Sequence, residues 1–282
     1  MKSFLEWRPG LRILVWLAAL AALVTTPVLV LRKYGIFNFS IYELRMLLPR
    51  EGILAGMVCA GTLLVGRLEK RSFGAYGLPV RRALRSSFWE GLLWGFVLLS
   101  AVLGMLRLAG VFQVDGLALR GREVWLQAGA WGAYFLAVGV FEELMFRGYL
   151  QATLGRAWTF WRAALFLSCL FGLSHLWNRG ESPLGILQVV AFALVMCLTL
   201  RRTGDLWFAV GAHAAWDWAE TFFYGVPNSG LAGTGHWLRT SFHGPAWLTG
   251  GATGPEGSLV ATLVLVIAFY LLHRRFPAKA AA

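Results

Sequence analysis

Charged residues are scarce in this sequence. Asp, Glu, Lys and Arg make up 14% of its 282 residues, whereas hydrophobic residues make up 58%. A soluble globular domain carries roughly 25% charged residues. The mean hydropathy is +0.62, and the apolar residues form repeated long runs rather than the short stripes of water-facing helices. The scarcity of charge excludes an ordinary soluble domain and predicts a single integral membrane domain over residues 1–282.

Cysteine is also rare, and its placement excludes two further classes of protein. The three cysteines, Cys59, Cys169 and Cys197, lie within apolar runs and form no CxxC pair. Neither a disulfide framework nor a thiolate metal cage is therefore indicated. The formal net charge is +12, but the basic residues stand at the ends of apolar runs instead of forming one patch. We therefore expect no nucleic-acid partner and take the lipid bilayer as the surroundings of the chain.

The apolar runs predict the fold. A membrane-spanning helix needs roughly 17 to 25 mostly apolar residues. Helices are the form expected for runs of this length, because lipid offers no hydrogen-bond partner to free backbone groups. The predicted class is all-α, a polytopic membrane protein with about eight transmembrane helices in one bundle. The candidate spans are 13–31, 46–66, 88–109, 125–153, 160–177, 184–200, 205–223 and 257–273.

The distribution of Lys and Arg predicts the orientation. Cytoplasmic loops of membrane proteins carry an excess of these residues, and the densest group lies between the second and third spans, at 67–85. We expect a multi-pass protein of a prokaryotic plasma membrane with both termini in the cytoplasm. The segment 225–257 is rich in Gly, Pro, Ser and Trp and lacks helical periodicity, which predicts a long extracytoplasmic loop.

Three charges interrupt the fourth predicted span. Glu142, Glu143 and Arg147 stand in the sequence FLAVGVFEELMFRGYLQATL. Each charge costs at least about 2.5 to 3.5 kcal/mol inside a bilayer, so such residues face the bundle interior and usually serve a function. A structural pair of Glu143 and Arg147, four residues apart on one helix face, would explain two of them. Glu142 points about 100° away and needs another reason.

Two more pairs of residues share a helix face at a spacing of four. Phe171 and His175 stand in the fifth span, and His213 and Asp217 in the seventh. With a rise of 1.5 Å per residue, a turn near residue 157 would bring Glu142 and His175 to within about 5 Å of each other in depth. A turn near residue 204 would put His213 roughly 14 Å below the cytoplasmic surface of the membrane. We expect these groups to surround one polar cavity.

The chemistry of such a cavity leaves several functions open. Neither a serine nucleophile elbow nor an HExxH motif is present, which disfavours serine and zincin hydrolases. A carboxylate and an imidazole that hold one water can remove its proton as it attacks a carbonyl group, so peptide hydrolysis fits. A membrane transporter or an ion or proton pathway is an alternative, since these also use intramembrane acids and histidines. A non-catalytic membrane scaffold or immunity protein is a third.

The three motifs together resemble one known family. EExxxR at Glu142, Glu143 and Arg147, FxxxH at Phe171 and His175, and HxxxD at His213 and Asp217 occur in the order typical of the CPBP family of CAAX prenyl endopeptidases. The resemblance covers a catalytic core at about 124–223. It implies an eight-helix intramembrane endopeptidase whose substrate is a membrane protein or a lipidated, CAAX-like peptide.

The resemblance also implies roles for the residues. Glu142 would be the general base, acting with His175 on the water, while Glu143 and Arg147 would hold the site together. His213 and Asp217 would face the oxyanion. An ionised aspartate only accepts hydrogen bonds, so Asp217 is protonated, orients His213 or binds a cation.

Two further expectations concern ligands. Phe171 is expected to contact substrate. No cofactor is expected to be required, because no local metal-binding spacing is present. The alternative is a catalytic zinc ion with ligands from His175, His213, Glu142 and Asp217.

Overall fold

The computed structural model describes residues 8–33 and 44–277. The described part is mostly helical, as the apolar runs predict. Five of its helical stretches are long and apolar enough to cross a membrane, which supports an integral membrane protein: Leu47–Leu68, Ser86–Leu108, Arg122–Ala157, Phe160–Trp177 and Pro183–Thr203. The extreme termini, whose cytoplasmic location is predicted above, lie outside the described residues.

The helices follow one another along the chain with short connections. They are α1 (Pro9–Lys33), α2 (Leu44–Leu68), α3 (Ser86–Leu108), α4 (Arg122–Glu143), α5 (Leu150–Ala157), α6 (Phe160–Ser174), α7 (Pro183–Thr203), α8 (Trp207–Trp218), α9 (Ala246–Thr249) and α10 (Leu259–Arg275). The apolar part of α1, Pro9–Leu23, and helix α8 are shorter than a typical membrane-spanning helix, and α10 with 17 residues is at the lower limit. The count of eight spans therefore stays a prediction.

Two π-helical turns interrupt the helices that carry the acidic motifs. The turn Leu144–Tyr149 joins α4 to α5, and its Gly148 leaves the helical region with φ −83° and ψ −110°. The turn Ala219–Tyr224 continues α8. Single π-turns are frequent at functional sites, because the extra residue changes the direction of the side chains around it. Glu143 directly precedes the first turn, and Asp217 lies one residue before the helix end that leads into the second.

The two turns used to estimate depth from the sequence are present. Helix α5 ends at Ala157 and α6 begins at Phe160. Helix α7 ends before Gly204, which adopts the left-handed conformation with φ 82° and donates its N–H to the Leu200 carbonyl. Glycine reaches this conformation without steric cost, so the chain can reverse at once into α8. These turns make α5, α6, α7 and α8 neighbours in the bundle.

Helix α8 lies at the centre of the bundle. Its residues from Phe208 to Asp217 are all buried. Helix α3 packs closely against it, since a Cβ atom at Gly91 or Gly95 would overlap the backbone carbonyl of Phe208 or Ala212. Small residues allow helix backbones in membranes to approach in this way. The close packing fixes the position of α8, and with it that of His213.

A small sheet corrects the all-α prediction. Strand β1 (Phe112–Leu117) pairs antiparallel with β2 (Leu238–Phe242), with Phe112 opposite Phe242. β2 and α9 also give regular structure to the segment 225–257, which the sequence predicts to be a loop. The strands were missed because each is short and its partner is remote in the sequence, so local periodicity carries little of the pairing signal.

A buried carboxylate at the end of α2 joins several helices. Glu69 accepts hydrogen bonds from Arg12 Nε at 3.0 Å and from the hydroxyls of Tyr76 and Tyr149 at 2.9 Å each. Arg156 Nη2 lies 3.5 Å from Glu69 Oε2. Burial alone would raise the pKa of Glu69, but the hydrogen bonds from Arg12 and the two tyrosines hold that pKa below its usual value. We call these five residues the Glu69 cluster.

Candidate active site

Glu143 is the most deeply buried member of the site. Its side chain is inaccessible to solvent, and its Oε1 accepts hydrogen bonds from Arg147 Nη1 at 3.2 Å and His213 Nδ1 at 3.0 Å. The pair with Arg147 has the spacing of four that the sequence indicates. No hydrogen-bond partner of Glu143 Oε2 occurs among the described residues. Glu143 thus connects α4 with the π-turn after it and with the central helix α8.

Glu142 faces a different environment from its neighbour. Its side chain is 23% exposed, and its Oε2 lies 3.4 Å from His213 Nε2. Successive helix residues point about 100° apart, so Glu143 is turned into the bundle while Glu142 borders open space. The two adjacent glutamates therefore suit different tasks, one as a fastener and one as a reactive group.

Asp217 lies one turn beyond His213 on α8. Its Oδ2 is 3.6 Å from His213 Nε2. Asn228, whose Nδ2 donates to Thr221 Oγ1 at 3.5 Å, lines the same cavity as Asp217. The ring of His213 therefore has a carboxylate at Nδ1 and two carboxylates facing Nε2. The three roles open to Asp217 stay predictions, although its distance from Nε2 suits an orienting role.

His175 follows the last residue of α6. Its Nδ1 lies 2.9 Å from the carbonyl oxygen of Phe171. A carbonyl only accepts hydrogen bonds, so Nδ1 is the protonated nitrogen, and in the neutral ring Nε2 keeps its lone pair. The sequence spacing of four thus produces a contact that determines the tautomer of His175.

Phe171 packs behind the site. Its side chain is 2% exposed. The Arg147 guanidinium lies 4.4 Å above the centre of its ring, and the His175 ring centre is 4.9 Å away. Phe171 lines a small cavity of about 30 Å³ that also reaches His175 and His213. The packing supports both of these side chains, and contact of Phe171 with substrate stays a prediction.

A larger cavity brings four of the sequence-predicted residues together. Glu142, His175, His213 and Asp217 all line one space of about 260 Å³. They come from α4, from the turn after α6, and from α8. Glu143 and Arg147 lie in the bundle beside this cavity and do not line it. The convergence expected from the turn positions is therefore present in the described structure.

The sequence reasoning missed residues on the opposite wall of the cavity. Arg50 and Glu51 of α2 line it, as does Tyr134 of α4. Glu51 is 5% exposed, and its Oε2 lies 3.8 Å from Arg50 Nη2. Two adjacent charges inside the second predicted span are the signal that could have identified this wall, by the same reasoning that singled out Glu142 and Glu143.

Residues of the glycine-rich segment form the rest of the wall. Asn228 and Ser229 line the cavity. Asn178 donates from Nδ2 to the Ser229 carbonyl at 2.9 Å, and Trp131 donates from Nε1 to the Thr234 carbonyl at 3.2 Å. Glu256 accepts from the Ser229 N–H, and burial raises the pKa of Glu256 to about 7. The segment is folded against the site.

The arrangement of the donors bears on the alternative zinc set. His213 Nδ1 is engaged by Glu143 and His175 Nδ1 by the Phe171 carbonyl, which leaves one nitrogen of each ring for a metal. Within residues 8–33 and 44–277, no three side chains of His, Cys, Asp or Glu are arranged to hold a metal ion. The donor set as it stands does not fit zinc, so no step of the chemistry is derived through a metal.

Comparison with known proteins supports the resemblance drawn from the motifs. Residues 123–219 match the family model described as Type II CAAX prenyl endopeptidase Rce1-like. The match runs from the start of α4 to the end of α8 and contains all three motifs. Searches of the curated proteins and of the solved structures found no match. The predicted family resemblance is confirmed for this segment.

Proposed function

From the match of residues 123–219 to the family model of type II CAAX prenyl endopeptidases, we propose that the chain is an intramembrane endopeptidase. It hydrolyses a peptide bond of a membrane-associated protein substrate with a water molecule activated by Glu142 and His175. The observation that carries the proposal is the convergence of Glu142, His175, His213 and Asp217 on one cavity from separate helices.

Glu142 acts as the general base. Its partly exposed carboxylate borders the cavity and takes a proton from the water as the water oxygen attacks the carbonyl carbon of the scissile bond. His175 holds the same water through the lone pair of Nε2. The protonated Glu142 then gives its proton to the leaving nitrogen, so that the products are one carboxylate and one amine.

Donors near Asp217 stabilise the negative charge that develops on the carbonyl oxygen. Asn228 supplies an amide N–H group from the cavity wall, and His213 lines the same cavity. Donors that are already aimed at the position where charge develops contribute strongly to the reaction rate. Glu143 and Arg147 do not touch substrate in this mechanism. They hold His213 in place through the shared Oε1 atom.

The substrate is expected to reach the cavity from the membrane. The family name refers to prenyl endopeptidases, so a polypeptide held at the bilayer by a lipid group or by its own apolar segment is the substrate class proposed here. Binding energy from the anchor would supplement the contacts of the cavity. No cofactor is required in this proposal.

Purified protein in detergent tests the proposal. Membrane-anchored peptides with and without a prenyl group are incubated with the native chain and with the Glu142→Gln variant, which keeps the size of the side chain. Cleavage by the native protein alone is the expected result. Transport of a solute that survives Glu142→Gln, with no peptide cleaved, would favour the transporter alternative. A biological phenotype preserved in Glu142→Gln would favour the scaffold.

A chelator separates the metal-free mechanism from the zinc alternative. Cleavage is expected to be unchanged after treatment with a chelator and dialysis, since no metal takes part in the proposed steps. Activity lost on this treatment and restored by zinc would contradict the metal-free mechanism. Circular dichroism of the treated sample controls for unfolding.

A further inference from the structure

Three connections and the end of α10 lie together at one end of the bundle. The α2–α3 connection is joined to the α7–α8 connection by an ion pair of Arg82 and Asp205 at 3.0 Å. The α5–α6 connection is close by, because Arg156 reaches Glu69 at the end of α2. The end of α10 joins α3 through Arg275 and Glu90. We call this the basic end.

The remaining connections meet at the opposite end. The α6–α7 connection contacts the segment between α8 and α10 through Asn178 and Ser229, and again through the hydrogen bond from Thr253 Oγ1 to the Gly180 carbonyl at 3.2 Å. The α3–α4 connection joins the same segment through β1 and β2. Residues 178, 228, 229 and 231–233 from these connections line the large cavity, and Ala232 among them is exposed. The cavity therefore reaches the surface at this end, which we call the cavity end.

Basic residues are distributed unequally between the two ends. At the basic end, the short connections and their flanking turns carry Arg67, Lys70, Arg71, Arg81, Arg82, Arg85, Arg156, Arg162, Arg201, Arg202, Arg274 and Arg275. At the cavity end, the connections after α3 carry Arg107, Arg120, Arg122, Arg179 and Arg239. Short loops rich in Lys and Arg remain in the cytoplasm. This asymmetry assigns the basic end to the cytoplasm.

The α1–α2 connection is the exception to the asymmetry. In the sequence, Arg32, Lys33, Arg45 and Arg50 flank it, and the predicted topology counts them outside the cytoplasm. Arg50 lines the cavity, so a role in the site accounts for its charge independently of topology. Among the other basic residues named above, twelve lie at the basic end and five at the cavity end, and the group between α2 and α3 is the densest.

We propose that the catalytic cavity opens on the extracytoplasmic side of the membrane, so that substrates enter from that side. The inference rests on the proposed function and narrows its substrate class. A lipidated protein that stays in the cytoplasm cannot present its carboxyl terminus at this opening. The substrates are exported polypeptides, held in the bilayer by an apolar segment or a lipid group, with the scissile bond in the outer half of the membrane.

Single cysteines in the full chain test the orientation in intact cells. Cys59, Cys169 and Cys197 are replaced by alanine, and one cysteine is introduced at Ala232, an exposed residue that lines the cavity. Gln113→Cys on β1 is a second exposed probe at the cavity end, and Ser86→Cys at the start of α3 is the probe at the basic end. The cysteine-free chain is the blank.

The labelling outcomes are opposite for the two orientations. With a membrane-impermeant maleimide, Ala232→Cys and Gln113→Cys are expected to react in intact cells, and Ser86→Cys only after the cells are permeabilised. Labelling of Ser86→Cys in intact cells, with Ala232→Cys and Gln113→Cys protected, would overturn the inference. Gln113→Cys keeps the test decisive if Ala232→Cys disturbs the cavity wall.

Two reporters separate the orientation from the enzymatic activity. Both carry the same cleavable segment, in the outer half of the bilayer in one and in the inner half in the other. Cleavage of the outer reporter alone supports the inference, and cleavage of the inner reporter alone contradicts it. If folded protein cuts neither reporter and no anchored peptide, the proposed protease function fails. The labelling result still decides the orientation of the cavity.

Discussion

Two buried glutamates in different parts of the bundle show how similar residues serve different purposes. Glu69 and Glu143 are both inaccessible to solvent. Glu69 is surrounded by arginines and tyrosines that occupy both of its oxygens. Glu143 has partners at Oε1 only, and it stands beside Glu142 and a cavity. A buried carboxylate whose partners are complete fastens helices, whereas incomplete partners beside open space are typical of a reactive site.

The comparison also separates the consequences expected of mutation. Removal of one partner from a buried ion pair leaves an uncompensated charge and costs stability. Removal of a group that faces a cavity leaves the packing intact and affects the reaction that takes place there. Stability and activity should therefore respond to different substitutions.

The largest expected effect is on catalysis at Glu142. Glu142→Gln keeps the shape of the side chain but cannot take a proton from water, so kcat should fall by about 10²–10⁴-fold. The thermal unfolding temperature should stay close to that of the native protein. Peptide cleavage and unfolding are measured on the same detergent preparation. Full activity in this variant would remove the general base from the mechanism.

The next effect is on stability at the basic end. Glu69→Gln should lower the free energy of unfolding by about 3–5 kcal/mol, because Arg12 loses its buried counter-charge. Arg71→Gln is the matched control. The Arg71 side chain is 41% exposed, and its Nε lies 3.9 Å from Glu69 Oε2. Loss of this side chain should therefore cost less than about 1 kcal/mol of stability. Cleavage per folded molecule should be unchanged in both variants, and a specific loss of kcat in Glu69→Gln would erase the contrast between the two glutamates.

A smaller effect is expected at Asn228. Asn228→Ala removes a proposed oxyanion donor and should lower kcat by about 10²–10³-fold with little change in KM. Asn228→Asp is the isosteric control, since it preserves the volume but replaces the amide with a group that only accepts hydrogen bonds when ionised. Both variants should lose activity together. Activity retained in Asn228→Asp but lost in Asn228→Ala would assign the residue a packing role instead.

The smallest effect concerns the cavity wall and its pH dependence. The pKa of Glu256 is raised to about 7 in the folded protein from an ordinary value of 4.5. The folded state therefore binds the proton more tightly than the unfolded state, and stability contributed by the protonated group is lost as pH rises from about 4.5 to 7, by at most about 1.4 kcal/mol per pH unit. Glu256→Gln should flatten this part of the stability profile. An unchanged slope in thermal unfolding across that range would contradict the assignment.

Local spacing was sufficient to predict the core of the candidate site. Glu143 with Arg147 and Phe171 with His175 are contacts within one helix or at its end, so a spacing of four residues indicates them directly. Glu142 and His175 line one cavity, as we expected from the short turns that align neighbouring helices. Their catalytic roles stay predictions, since position alone does not establish chemistry.

The missed features depend on contacts between remote parts of the chain. Arg50 and Glu51 border the cavity only because α2 packs against α4. Asn228 does so only because the glycine-rich segment folds back onto α6 and α8. Glu69 lies beyond the second predicted span, and its partners come from α1, from the π-turn after α4 and from α5. Periodicity reports which face of a helix is apolar, but it does not say which helix lies against that face.

Isotope labelling tests most directly whether Glu142 activates a water molecule in the cavity. A single turnover is run in water enriched in ¹⁸O, and the product and the enzyme are analysed by mass spectrometry. Direct attack by water predicts one ¹⁸O atom in the new carboxylate of the product and none in Glu142. Incorporation of ¹⁸O into the Glu142 carboxylate would mean that Glu142 attacks the substrate itself, and would contradict the general-base mechanism.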